Sequence, residues 1–281
     1  MIQPTTTPEI YIETAYAKIN LALHVRARRA DGYHEIETIF AFVDSGDRLE
    51  VSRRDDGAIT LTVEGPFAQG LEGDDNLVMQ AARALQPFGN GMGADIRLIK
   101  NLPVAAGLGG GSADAAAALR ALLPLWGIRP MDIDLAEIAL SLGADVPACL
   151  ASVTLRGSGV GERLEPVDLG MNGAPVLLVN PQLPCPTGPV FRGWDGSDRG
   201  PLGQYPADWR NDLETPALKL VPEIKTVLTT LAGQKGVTLA RMSGSGATCF
   251  ALFESGEARD EAEAIISTAH PGWWTMAGAL L

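Results

Sequence analysis

From Ala17 to Val25 the residues alternate between an apolar face and a mostly polar one. Ile19, Leu21, Leu23 and Val25 share one face, and Lys18, Asn20, Ala22 and His24 the other. A period of two predicts a half-buried strand, whose polar face here carries Lys18 and Asn20 side by side. Asp31-Gly32 reads as a turn and Ile36 to Val43 as a second strand. A helix is predicted from about Asn76, capped by Asp74 or Asp75, with Leu77, Ala81 and Leu85 on one face. Residues 94–99 read as a strand leading into a glycine-rich segment, and an alanine-rich helix follows from about Ser112.

The later part of the chain has another rhythm. A strand is expected at 175–180, a helix at 217–232, strands near 237–242 and 247–253, a helix at 257–268 and a strand at 273–279. That β-α-β-β-α-β order is the ferredoxin-like arrangement. Gly157, Gly159, Gly161 and Gly170 cluster where a domain boundary is expected, between about 155 and 172. From Gln182 to Arg210 runs a long connection with ten Pro or Gly residues and four aromatics, Phe191, Trp194, Tyr205 and Trp209. Connections this long are usually functional or disordered. The aromatics either pin it to the body or form a platform for a ligand.

Composition narrows the function. The 281 residues suit one large domain or two ordinary ones, and 46% hydrophobic residues supply ample core. A formal net charge of −12 disfavours nonspecific nucleic-acid or anionic-membrane binding. The richest apolar stretch, 115–128, is broken by Arg120 and Pro124, so no membrane span is expected. Met1 to Glu13 holds no Lys, Arg or apolar block, so no targeting peptide is read there and a cytoplasmic location is expected. Cys149, Cys185 and Cys249 form no C-x-x-C pair. His34-Glu35 begins like a zinc-protease helix, but the fifth position is Thr38, and no serine sits in a G-x-S-x-G elbow.

The strongest feature is the segment from Leu102 to Leu119, where Gly107, Gly109, Gly110 and Gly111 stand just before a helix. Missing side chains let backbone approach a ligand, and the free N–H groups and dipole of a helix start favour an anion. Ser112 reads as the helix cap or a hydroxyl donor to phosphate, with Asp114 in the first turn. The loop lacks the Lys of a Walker A motif, and Ser112 occupies the sixth position of a Rossmann G-x-G-x-x-G. A phosphate loop of another kind is therefore expected. Lys100, just before it, reads either as a phosphate-steering group or as an exposed strand end.

Pro103-Val-Ala-Ala-Gly-Leu-Gly-Gly-Gly-Ser-Ala-Asp114 resembles the ATP loop of the galactokinase, homoserine kinase, mevalonate kinase and phosphomevalonate kinase (GHMP) superfamily. Further blocks are Ala17-Lys18-Ile19-Asn20-Leu21, Arg29-Ala-Asp-Gly-Tyr-His34, Gly143-Ala-Asp-Val-Pro147, Asn211-Asp-Leu-Glu214 and Met242-Ser-Gly-Ser-Gly-Ala247. Together they resemble one family within it, the kinases of 4-diphosphocytidyl-2-C-methyl-D-erythritol in non-mevalonate isoprenoid biosynthesis. The resemblance runs from residue 15 to 253.

It implies an α+β fold of two domains, a ribosomal-protein-S5-like ATP-binding domain over 1–160 and a ferredoxin-like substrate domain over 161–281. It implies Lys18 and Asp145 as the catalytic pair. ATP would bind at Pro103, Val104, Ala105, Ala106, Gly107, Leu108, Gly109, Gly110, Gly111, Ser112 and Ala113. Asn20 would position the substrate, and Tyr33, His34 and Phe191, or Trp194 in its place, would hold the cytosine of a cytidine diphosphate moiety. Mg²⁺ would arrive with ATP, with Ser112 as a possible contact. The competing readings are another GHMP-type kinase, for homoserine or mevalonate, and a nucleotide-binding regulator without turnover.

Overall fold

A computed structural model describes residues 9–203 and 206–281. In chain order the elements begin with two long strands, β1 (Ile10–Arg28) and β2 (His34–Arg54). β3 (Ile59–Glu64), α1 (Leu77–Leu85), β4 (Gly93–Ile99) and α2 (Gly110–Leu125) follow, then α3 (Leu135–Leu142) and α4 (Val146–Ala151). The later elements are β5 (Leu155–Gly159), β6 (Arg163–Pro166), β7 (Pro175–Asn180), α5 (Thr187–Arg192), α6 (Glu214–Leu220) and α7 (Glu223–Ala232). The chain closes with β8 (Val237–Met242), β9 (Cys249–Phe253), α8 (Gly256–Ala269) and β10 (Trp274–Ala279).

Two compact units result. One combines the residues through Ala15 with Asp47–Asn101 and Gly111–Leu150; the other combines Tyr16–Gly46, Leu102–Gly110 and Ala151–Leu281. In the first unit β4 pairs parallel with β3 and antiparallel with the Arg48–Arg54 end of β2. α2 buries nearly every residue from Ala113 to Leu123, which the short alanine side chains permit. Trp126 closes its end and donates Nε1–H to the Gly93 carbonyl at 3.1 Å. α1 is capped by Asn76 itself, whose side chain accepts from Val78 N at 2.8 Å. Asp74 and Asp75, the expected caps, lie outside the helix.

In the second unit the four-stranded antiparallel sheet runs β10-β7-β9-β8, the ferredoxin-like order. Its two inner strands, β7 and β9, are apolar on both faces, and the period of two sorts their residues. Val176, Leu178, Phe250 and Leu252 join one core cluster with Ile19, Leu21, Leu102 and Leu108. Leu177, Val179, Cys249, Ala251 and Phe253 join another with Val190, Ile224, Val227 and Ile266, from the helices. The single helix expected at 217–232 is two, because Pro222 has no N–H and pushes Val221 out of helical geometry (φ −134°, ψ 82°).

The strand around Lys18 also differs from expectation, since it is covered on both faces rather than half-buried. Lys18 N donates to the Leu108 carbonyl at 3.0 Å, and Leu23 exchanges backbone bonds with Arg210 and Asp212. Lys18, Asn20 and His24 are therefore buried polar groups, which need partners.

The 182–210 connection is less irregular than its composition suggests. It contains α5, and Trp194 and Trp209 are both buried, which is the anchoring role. Tyr205 lies outside the described residues. Glu37 accepts from Arg26, Arg156 and Leu202 N, and Arg156 also donates to the Leu202 carbonyl, tying the connection to β1, β2 and β5.

Candidate active site

In the second unit Lys18 and Asn20, on the buried polar face of β1, are linked by hydrogen bonds. Lys18 Nζ donates to Asn20 Oδ1 at 3.2 Å and lies 5.1 Å from the centre of the Phe40 ring. Asn20 Nδ2 donates to Thr38 Oγ1 at 2.8 Å, which donates to the Ala22 carbonyl at 2.6 Å. This fixes the amide with its oxygen toward the ammonium. Thr38, which decided only against a zinc helix in the sequence, is thus what orients Asn20.

The glycine loop is held to β1 through Ser243. Asn20 N donates to Ser243 Oγ at 3.2 Å, and Ser243 Oγ donates to the Gly107 carbonyl at 2.8 Å. Gly107 has φ +76°, and a Cβ there would stand 2.5 Å from the Ser243 carbonyl oxygen, so only glycine fits. Thr248 N donates to the Ala106 carbonyl at 3.2 Å, completing the seam. Asn211 braces it from behind, giving Nδ2 to the carbonyls of Met242 and Gly244 at 2.8 Å each. Asp212 accepts from Val25 N at 2.8 Å. The Asn211-Asp212 block is therefore a clamp joining β1 to the 243–247 turn.

The aromatic group is also in this unit. Asp31 accepts from Tyr33 N at 3.0 Å and fixes the turn, leaving Tyr33 63% exposed. His34 is buried, with its ring centre 5.1 Å from Phe191 at 43° and 5.9 Å from Trp194, edge-on at 82°. Its Nε2 is buried with no partner in the protein. Burial, helped by the nearby Arg28 guanidinium, pulls its pKa below the ordinary histidine value, which favours the neutral ring.

α2 begins at Gly110, so Gly110 and Gly111 are helical and Ser112, in the first unit, lies in the first turn rather than at the cap. A Cβ on Gly143 would stand 4.0 Å from Ser112 Oγ, which sets the Gly143-Ala-Asp145 block beside that hydroxyl. Asp145 immediately precedes α4, and its carbonyl accepts from Cys149 N at 3.0 Å. Lys100 is neither an exposed strand end nor free to steer phosphate. It is buried and ion-paired with Asp47 and, at 2.7 Å, with Asp114. Burial alone would discharge it, but the two carboxylates outweigh burial and hold the ammonium above its ordinary range. Asp114 is pushed up to about 8 by burial, with Lys100 opposing and Asp47 adding to the rise.

The models of the GHMP kinase N-terminal and C-terminal domains match residues 76–152 and 198–271. The chain is 54% identical to the 4-diphosphocytidyl-2-C-methyl-D-erythritol kinase of Rhizorhabdus wittichii over 280 residues, covering 95% of this chain and 94% of that protein. It is 54% identical to the kinase of that name from Sphingopyxis alaskensis, covering 95% and 98%. The chain belongs to the 4-diphosphocytidyl-2-C-methyl-D-erythritol kinase family. It is thus an ATP-dependent small-molecule kinase of the GHMP fold. Among solved structures, one of 4-(cytidine 5'-diphospho)-2C-methyl-D-erythritol kinase matches with TM-score 0.81 and 37% identity, covering 96% of this chain and 99% of that one. The homoserine kinase of Cytophaga hutchinsonii, at TM-score 0.71, 19% identity and coverage of 100% and 97%, shares the fold. No helix among the described residues is long and apolar enough to cross a membrane.

Proposed function

We propose that this kinase transfers the γ-phosphoryl group of ATP to the 2-hydroxyl of 4-diphosphocytidyl-2-C-methyl-D-erythritol. The observation that carries the substrate reading is His34, a buried ring with an unpartnered Nε2, set against Phe191 and following the exposed Tyr33. A flat base stacked between Tyr33 and Phe191 would meet that nitrogen and satisfy it. Trp194 is buried edge-on as an anchor, which favours Phe191 as the stacking ring.

The chemistry follows from the alcohol being a poor nucleophile. Its oxygen attacks the γ-phosphorus as the bond to ADP breaks, and Asp145 takes the hydroxyl proton. Lys18, held by Asn20, stabilises charge on the reacting oxygens. The segment Pro103 to Ala113 forms the phosphate loop, whose backbone N–H groups (Pro103 has none) and Ser112 hydroxyl would meet the phosphates. Mg²⁺ would arrive with the ATP phosphates and offset their charge, with the Ser112 hydroxyl beside it. The N- and C-terminal family models fall on either side of residue 160, in keeping with an ATP-binding part over 1–160 and a substrate part over 161–281.

The test is ADP release with Mg-ATP and the cytidyl compound, homoserine or mevalonate as acceptor. Turnover with the cytidyl compound alone is expected. Turnover only with another alcohol would keep the kinase but overturn the base-binding reading.

A further inference from the structure

The helix that carries Phe191 is braced at both ends. At its start Thr187 Oγ1 lies 3.0 Å from Ser245 Oγ, and Cys185 Sγ donates to the Ser245 carbonyl at 3.2 Å. At its end Arg28, the last residue of β1, donates Nη2 to the carbonyl of Arg192 at 3.1 Å and to that of Trp194. The guanidinium also lies 5.8 Å from the centre of the Trp194 ring. Carbonyls at a helix C-terminus lack intrahelical partners and carry partial negative charge, so a cation with several donors is suited to them.

The same short segment supplies both rings that touch His34. Trp194 is buried and fixed, whereas Phe191 is only half-buried. The spacing between Phe191 and His34 therefore depends on where α5 ends, and Arg28 holds that end.

We propose that Arg28 is a specificity-determining positioning residue: by gripping the Arg192 and Trp194 carbonyls it fixes Phe191 against His34, and with it the ring face that a flat pyrimidine held between Phe191 and Tyr33 would stack on. The inference rests on the base-binding reading above. Arg28 acts through Phe191 and not on the reacting atoms, so it governs capture of the cytidyl substrate and leaves phosphoryl transfer alone. Arg28 is itself exposed, so its removal spares the core.

The test compares wild type, Arg28→Ala and Arg28→Lys in steady-state kinetics, with thermal melting alongside. The acceptors are the cytidyl substrate and 2-C-methyl-D-erythritol 4-phosphate, which lacks the base. Arg28→Ala is expected to raise KM for the cytidyl substrate about three- to tenfold, with kcat within about twofold and KM for ATP unchanged. Arg28→Lys is expected to recover part of the loss, and kcat/KM for the base-free acceptor to be the same in all three proteins. An unchanged KM would overturn the proposal, as would an equal loss on the base-free acceptor or a loss that tracks a lowered Tm. If wild type turns over neither the cytidyl substrate nor binds it, the base-binding reading fails first and takes this inference with it.

Discussion

Asp114→Asn is a direct probe of the buried charge cluster around Lys100. Lys100 stands between two carboxylates, Asp47 at 0% and Asp114 at 4% exposure, so full ionisation leaves a net negative charge out of water. Asp114 Oδ1 has no partner, which leaves one oxygen uncompensated. With its pKa raised from 3.8 to about 8, Asp114 keeps a proton in the folded chain that it loses in the unfolded chain over the window between those values. The folded state binds more protons there, so this group's contribution to stability is greatest below about pH 4 and is lost as pH rises toward 8. About four pH units at 1.36 kcal/mol each set an upper bound of roughly 6 kcal/mol. Asn has the same shape and no charge to lose. Urea unfolding at pH 5.5, 7.0 and 8.5 should show the variant gaining on wild type as pH rises, by about 1–3 kcal/mol across the range. A difference between the two proteins that is flat with pH, or that favours wild type at pH 8.5, would refute the reasoning, since Asp114 would then be ionised throughout.

Three other perturbations have defined outcomes. Asp145→Asn is expected to cut kcat by about a hundredfold or more while ATP binding, measured by calorimetry, stays largely intact; near-normal turnover would remove Asp145 as the base. Gly107→Ala places a methyl 2.5 Å from the Ser243 carbonyl oxygen at φ +76°, and should cost about 1–3 kcal/mol in urea unfolding and weaken ATP binding. Tyr33→Ala removes an exposed ring, so Tm should hold while KM for the cytidyl substrate rises roughly 5- to 100-fold, the usual range for one base–aromatic stack; a fall in Tm with KM unchanged would make Tyr33 structural.

The parts legible in the sequence are those set by local pattern. Alternation exposes the strand at 17–25, and β7 to β10 with their helices lie close to where periodicity puts them. The glycine loop is visible because close backbone approach requires glycine, as Gly107 demonstrates. What was not legible depends on residues far apart in the chain. Nothing near Lys100 signals that Asp47, 53 residues earlier, and Asp114, 14 later, will bury it. Likewise the polar face of β1 looks solvent-facing until the 209–212 and 243–247 segments cover it. Thr38 could be read only against other motifs, because its bond to Asn20 joins neighbouring strands. The break at Pro222 is a different failure: the signal is local, but the apolar periodicity on either side outweighs it.

The central claim is transfer of phosphate to one alcohol, and the most direct measurement follows the phosphate itself. Wild type is incubated with γ-labelled Mg-ATP and 4-diphosphocytidyl-2-C-methyl-D-erythritol, and the product is isolated and its phosphorus resonances assigned. One labelled phosphomonoester on the 2-hydroxyl per ADP formed is the expected result. ADP formed with the label released as inorganic phosphate, or label placed on another oxygen, would contradict the account.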